Sequence, residues 1–219
     1  MENNSSARRS FLKYINNEDD NINIENLKES IDCIFYENSD DEYIGYDEAS
    51  VLWNELNDFI DRKIEPLIEL QRYMEAVELI LHLASSFTEY DIDDSDGVIM
   101  GIYSRCEEII SLVIRLCSEK EEEKIFQDVV YEIDNNNDEY GYYKGFLDRL
   151  LFNQFKSEKS LKEILKIVNS RIKSLSGDKE DSFSQFYFKI ILSAKLKIME
   201  ELNLPDNEIE KFYTENKFM

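Results

Sequence analysis

An all-α fold, an irregular stack of about ten helices in antiparallel succession, is what this sequence predicts, and three observations carry the prediction. Apolar residues recur at helical spacing through nearly the whole chain. Only 2 Pro and 6 Gly punctuate 219 residues, too few for the turns of a strand-rich fold. An apolar content of 42% then fills a core of one large domain or two small ones at this length.

The elements follow in order. A short opening helix uses Phe11, Leu12, Tyr14 and Ile15, and a second places Leu27, Ile31, Ile34 and Phe35 on one face. The polar linker ENSDDEYIGYDE at 37–48 precedes a helix carrying Leu52, Leu56, Phe59 and Ile60, with Asp47 as its expected N-cap. Pro66 fits the first turn of a further helix reaching Ser86, where its missing N–H has no intrahelical partner anyway. That helix has a broad apolar stripe (Leu67, Leu70, Met74, Val77, Ile80, Leu81, Ala84), which asks for more than one neighbour. After DIDDSDG the most apolar segment, Val98 to Cys117, is expected to be the central helix, with Ser95 or Asp96 accepting from its free N–H groups.

The acids of EKEEEK at 119–124 favour the dipole at the start of the next helix, which uses Ile125, Phe126, Val129, Val130 and Ile133 and ends at DNNNDEYG. Helices follow at 142–155 (Phe146, Leu147, Leu150, Leu151), 161–175 (Leu161, Ile164, Leu165, Val168, Ile172) and 182–202 (Phe186, Ile190, Ile191, Ala194, Ile198). Ser160 with Glu163 reads as a capping box, Gly177 as a C-cap, and a short helix follows Pro205. Residues 1–42 are expected to pack as short helices and an acidic linker on one continuous stack, 43–219. No fixed repeat period is present.

Charge divides the chain. Residues 1–140 hold 36 Asp and Glu against 11 Lys and Arg, whereas residues 141–219 hold 12 against 14, within a total of −23. The acids concentrate in the segments 37–48, 89–96 and 132–140 and in the helix start at 119–123, so several of these are expected to form one acidic rim. No run of 18 apolar residues and no apolar core behind the N-terminal arginines occurs, and a cytoplasmic chain with no membrane association is expected. Cys33, Cys106 and Cys117 are an odd number in apolar helical settings, which suits reduced, buried thiols.

The segments EPLIELQRYMEAVELILHLASSF, DIDDSDG, VIMGIYSRCEEI and DEYGYYKGFLDRL give the stretch from Tyr43 to Leu175 a resemblance to a bacterial family, the helical domain often found C-terminal to SWIM zinc fingers. The resemblance implies a tetratricopeptide-like stack and no known reaction. The SWIM pattern itself, C-x-C followed by C-x-H, is absent, so no contact made by such a finger carries over.

In the acidic run Asp91, Asp93, Asp94, Asp96, Gly97 the calcium-loop register fails. Starting at Asp91 puts Asp96 where glycine belongs and Ile102 where the bidentate Glu belongs. A catalytic triad would depend on His82, the only histidine, which sits between Leu81 and Leu83 and reads as a hydrogen-bonded packing residue. One histidine and three dispersed cysteines lack zinc spacing, and no glycine-rich phosphate loop exists. Lys156, Lys159, Lys162, Lys166, Arg171, Lys173 and Lys179 read as solvated helix faces.

What remains is an acidic surface bearing tyrosines (Tyr43, Tyr46, Tyr90, Tyr131, Tyr140), suited to Arg- or Lys-rich partners and hostile to phosphate backbones. The expectation is a non-enzymatic protein-interaction module, without cofactor or metal and with small molecules disfavoured, that holds a basic protein partner. Its contact residues are Asp40, Asp41, Glu42, Tyr43, Tyr46, Asp91, Asp93, Asp94, Asp138, Glu139 and Tyr140. The alternative is an acidic inhibitor or immunity-type protein, a nucleic-acid mimic that blocks the basic cleft of a nuclease. A third reading, a helical enzyme, requires a concave pocket that gathers His82 or several carboxylates.

Overall fold

A computed structural model of the chain describes residues 23–135, 141–175 and 182–216, in which nine helical rods carry one two-stranded pairing. The order is α1 (Ile24–Glu37), β1 (Tyr43–Ile44), α2 (Tyr46–Phe59, continuing through Ile60–Ile64 to Glu65–Glu69), α3 (Tyr73–Ser86) and β2 (Asp91–Ile92). It continues with α4 (Val98–Leu116), α5 (Glu119–Asn135), α6 (Tyr142–Asn153), α7 (Glu158–Leu175), α8 (Ser182–Glu201) and α9 (Asp206–Asn216). The fold is all-α, as its periodicity predicts. The helix expected around Phe11–Ile15 and the C-cap expected at Gly177 lie outside the described residues. No described helix is long and apolar enough to cross a membrane.

The chain divides into two compact units, Met1–Leu147 and Asp148–Met219. In the first, the helix at the centre is α3 rather than α4. Helix α3 packs on α1, α2, α4 and α5, whereas α4 packs mainly on α3 and α2. The reason lies in the side chains: α3 buries Val77, Leu79, Ile80, Leu81 and Leu83 around its circumference, while α4 buries a stripe and leaves Met100, Leu112 and Leu116 exposed. A row of rings ties the layers together. Phe35 of α1 meets Phe87 edge-on at 4.9 Å, Phe87 meets Tyr103 of α4 at 5.5 Å, and Tyr103 stacks on Phe146 of α6 at 5.1 Å.

Helix boundaries depart from expectation where the backbone finds a different partner. Pro66 does not begin a separate helix. It lies in the last stretch of α2, just after a π turn in which the Glu65 N–H donates to the Ile60 carbonyl. The widened turn gives the proline ring room against the preceding carbonyl and leaves the rod unbroken. The break comes at Gln71, in the left-handed region (φ 63°), where Arg72 N–H reaches Leu67 O and Gln71 N–H reaches Ile68 O in a Schellman arrangement. Asn203 (φ 51°) ends α8 the same way, with Leu204 N–H on Met199 O.

N-caps shift by a few residues for related reasons. Gly45, not Asp47, precedes α2, and Asp47 sits in the first turn as a charge on the dipole. Ser157 caps α7 through Ser160 N–H at 3.1 Å, so the Ser160–Glu163 pairing is one turn too late. Helix α5 instead carries a full capping box: Ser118 N–H donates to Glu121 Oε2 at 2.8 Å, and Glu121 N–H returns to Ser118 Oγ at 3.4 Å.

The cysteines divide as well. Cys106 is buried and its thiol pushed up by burial, Cys117 is half-buried, and Cys33 is exposed. Cys33 lies between Ile31 and Phe35, the buried pair of α1, and a side chain two positions from each falls on the opposite face.

In the second unit α8 packs on α7 and α9. Phe186 and Ile190, expected in its core stripe, are exposed, because the buried stripe runs through Phe188, Ile191, Leu192, Ala194, Ile198 and Met199. Arg171 is also not on a solvated face. It donates to Asp148 Oδ1 at 2.5 Å and to the Tyr187 hydroxyl at 3.2 Å, and Tyr187 donates to Asp148 Oδ2 at 2.7 Å. Asp148 is only 4% exposed, so the guanidinium and phenol supply the partners that a buried carboxylate needs.

Two measurements follow from this packing. A Cβ at Gly101 of α4 would stand 2.2 Å from Trp53 Cζ3 of α2. Gly101→Ala is therefore expected to cost about 1–3 kcal/mol despite the better helix former. Because Trp53 is the only tryptophan, its folded-state emission shifts to the red as the ring is displaced. Unchanged emission and stability would refute the contact.

The second concerns the capping box, where the backbone N–H and hydroxyl of Ser118 hold the Glu121 carboxyl below its usual range. A depressed folded value gives stability that is complete above about pH 4.3 and lost as pH falls through the folded value. The melting temperature of the native chain is thus expected to exceed that of Glu121→Gln at neutral pH, the gap closing toward pH 3 on a thermal melt series.

Candidate functional site

The acidic segments at 37–48 and 89–96 meet through backbone pairing. Tyr43 and Ile44 run parallel to Asp91 and Ile92, with Asp91 N–H on Glu42 O and Asp93 N–H on Ile44 O, both at 2.9 Å. Ile44 is wholly buried and pins the pairing to the core, while alternation turns Tyr43 outward, 48% exposed. The pairing is possible because α1 and α3 both end at this edge.

Before β1 the chain reverses in two residues. Asp40 and Tyr43 exchange backbone hydrogen bonds (2.8 and 3.1 Å) across Asp41 and Glu42, which have φ values of 53° and 67°. Those are the φ signs of a type I′ turn, which favours Asn-Gly because non-glycine side chains are strained there. Here two acids occupy the turn and both are exposed.

The second loop is held by its own carboxylates. Asp94 Oδ1 accepts from Ile99 N–H at 2.9 Å in the first turn of α4, and Asp93 Oδ1 accepts from Ser95 N–H at 3.1 Å. The cap is therefore Asp94 rather than Ser95 or Asp96, because Gly97 adopts the left-handed region (φ 73°) and lets the loop fold back over the helix start. Asp96 receives the hydroxyl of Tyr46, a bond that pushes that phenol up. Tyr90 is pushed up by burial and stacks on Phe35 at 5.3 Å.

Among the expected contact residues, Asp40, Asp41, Glu42, Tyr43, Tyr46, Asp91, Asp93 and Asp94 are thus gathered on one edge. None of the six acids among them is in an ion pair with a described residue. Asp138, Glu139 and Tyr140 lie outside the described residues. The helix start at 119–123 is not part of this edge. The 19 residues of α4 separate it from Gly97 by about 28 Å of rise.

An aromatic floor that no sequence pattern announces accompanies the acids. A pocket of about 230 Å³ opens here, lined by Phe87, Tyr90, Ile92, Ile99 and Tyr103, by Tyr142 of α6 and by the acids Asp91 and Asp94. Tyr142 lies 50 residues from β2 in sequence, and no local pattern marks their meeting.

A second concavity surrounds His82. A cleft of about 340 Å³ between α1, α3 and α5 is lined by Lys28, Glu78, His82, Ser85, Lys124, Asp128, Tyr131 and Glu132, over Met74 and Leu81. The concave pocket that an enzyme reading requires is present. Its charges are largely engaged: Lys28 donates to Glu78 at 2.6 Å, His82 Nε2 lies 2.7 Å from Asp32, and Glu132 accepts from Tyr143. Asp128 is pushed up by burial, with Glu78 adding to the rise and Lys124 opposing it. The hydroxyls of Ser85 and Ser86 donate to the His82 carbonyl rather than to its ring.

The described residues thus form an all-α stack with an acidic, tyrosine-bearing edge and a mixed-charge cleft. Comparison with protein-family models, with curated proteins and with solved structures finds no match for this chain.

The strained turn gives a direct test. Replacing Asp41-Glu42 by Asn-Gly is expected to raise stability by about 1–2 kcal/mol in urea unfolding, since the new pair adopts the same φ values without the Cβ penalty. No gain would mean that the turn is not strained.

Proposed function

We propose that the chain is a non-enzymatic protein-interaction module whose acidic, tyrosine-bearing edge holds a basic protein partner. One observation carries the reading: the parallel pairing of β1 with β2 collects six acids, all without an ion-pair partner among the described residues, beside Tyr43 and Tyr46. Like charges gathered on a fixed scaffold repel one another, and a cationic partner relieves that repulsion while gaining encounter rate. Exposed phenols next to carboxylates add cation–π contact to charge pairing.

The cleft at His82 supports this reading over a hydrolytic one. Neither nearby serine hydroxyl is directed at the imidazole, and the ring nitrogen Nε2 is engaged by Asp32. A nucleic-acid mimic remains the alternative. The interleaving of Tyr43, Tyr46 and Tyr90 among the acids favours a protein partner, since a substitute for a phosphate ladder has no use for phenols.

Binding to a nona-arginine peptide, measured by calorimetry at low and high salt, tests the edge. Asp40→Asn/Asp41→Asn/Asp91→Asn is expected to weaken binding about tenfold at low salt, at roughly 0.5 kcal/mol per exposed charge pair. Glu119→Gln/Glu122→Gln/Glu123→Gln, which removes equal charge at the far end of α4, is expected to change it little. Equal losses from both variants would show that net charge, not this edge, attracts the peptide.

A further inference from the structure

We infer that the pocket behind the acidic edge is an anchor site for a single arginine side chain of the basic partner. The inference rests on the reading of that edge as a partner surface and adds a definite subsite to it. Four rings, Phe87, Tyr90, Tyr103 and Tyr142, line it together with two acids, Asp91 and Asp94.

Size, charge and ring chemistry point to the same occupant. A volume of about 230 Å³ is below the range of drug-sized ligand sites and suits one extended side chain. An anion would meet two carboxylates. An apolar group would strip water from the Asp91 carboxylate, which has no hydrogen-bond or ion-pair partner among the described residues, and return nothing for it. A guanidinium satisfies both demands: its flat face lies on aromatic rings and its edge N–H groups meet carboxylate oxygens.

The site is also prepared before the guest arrives. Asp94 is fixed by its bond from Ile99 N–H through Oδ1, which leaves Oδ2 for a guest. Tyr90 is held by stacking on Phe35, Phe87 meets the edge of the same ring, and the Tyr103 hydroxyl donates to Ala84 O at 3.3 Å, so three of the four rings are set by contacts outside the pocket. Preorganised rings and carboxylates lose little freedom on binding. Tyr142, 45% exposed, is the wall most open to solvent and the best one to remove.

Ethylguanidinium chloride titrated into the full chain with labelled tyrosine and phenylalanine rings provides the test, with sodium chloride at matched ionic strength as reference. The expected result is a saturating shift of the Phe87, Tyr90, Tyr103 and Tyr142 ring signals that sodium chloride does not produce. Tyr142→Ala is expected to weaken this binding three- to tenfold, the range of a cation–π contact, and Asp91→Asn to weaken it similarly. If these rings stay unmoved, or if the variants bind as the native chain does, the anchor is refuted.

The nona-arginine titration separates this failure from that of the wider reading. Salt-dependent peptide binding with unmoved pocket rings overturns the anchor and leaves the edge. Moved rings with no peptide binding uphold the anchor and overturn the edge.

Discussion

Helix α3 places eight of its fourteen side chains in the core, and a helix without a solvated stripe has to be enclosed by its neighbours. Five of those side chains are Val, Leu or Ile, and burying them contributes on the order of 10 kcal/mol, as much as the whole net stability of an ordinary domain. Enclosure by α1, α2, α4 and α5 therefore determines where their connections fall. The C-terminal ends of α1 and α3 come to one edge, and two segments 48 residues apart pair there as β1 and β2. The acidic edge is a consequence of how α3 is covered.

That edge has to tolerate its own charge. The first unit carries 36 acids against 12 bases, and exposed carboxylates closer than a Debye length of about 8 Å repel one another even in physiological salt. Part of the charge is used as structure: Asp93 and Asp94 accept from backbone N–H groups, Asp96 accepts from Tyr46, and Glu121 closes a capping box at the other end. A carboxylate bonded to a helix N-terminus stabilises it and does not repel the backbone around it. The remaining acids, Asp40, Asp41, Glu42 and Asp91, are exposed and have no such use.

The helices were legible because burial imposes a 3.6-residue period on every rod, and Ile31 with Phe35, or Ile164 with Val168, announces its face without reference to anything distant. What was not legible depends on partners far along the chain. Two-residue strands have no period to read, so the meeting of Tyr43 with Asp91 is invisible until α3 is enclosed. The π turn at Ile60–Ile64 keeps α2 whole through Pro66, and left-handed Gln71 ends it where no glycine marks a stop. Arg171 looked like one basic residue among many, because its partners Asp148 and Tyr187 are 23 and 16 residues away. The acids were legible as composition, and the aromatic pocket beside them was not, since Tyr103 reads as core in its own helix and no local pattern joins Phe87 and Tyr142 to it.

Charge that serves only solubility has no required position. The second unit illustrates the ordinary arrangement, where 12 acids face 13 bases and pairs such as Lys156–Glu201, Lys162–Glu158 and Arg171–Asp148 form within it. In the first unit the acids of the edge stand without cations among the described residues, and two of them, Asp41 and Glu42, occupy a turn whose φ values disfavour them. Strain of this kind persists where surrounding structure enforces it, and it clusters at sites of function. An Asn-Gly turn would relax the backbone and remove two charges from the edge. Asp41 and Glu42, exposed in a turn that strains them, fit the proposed presented surface better than a diffuse solubilising coat.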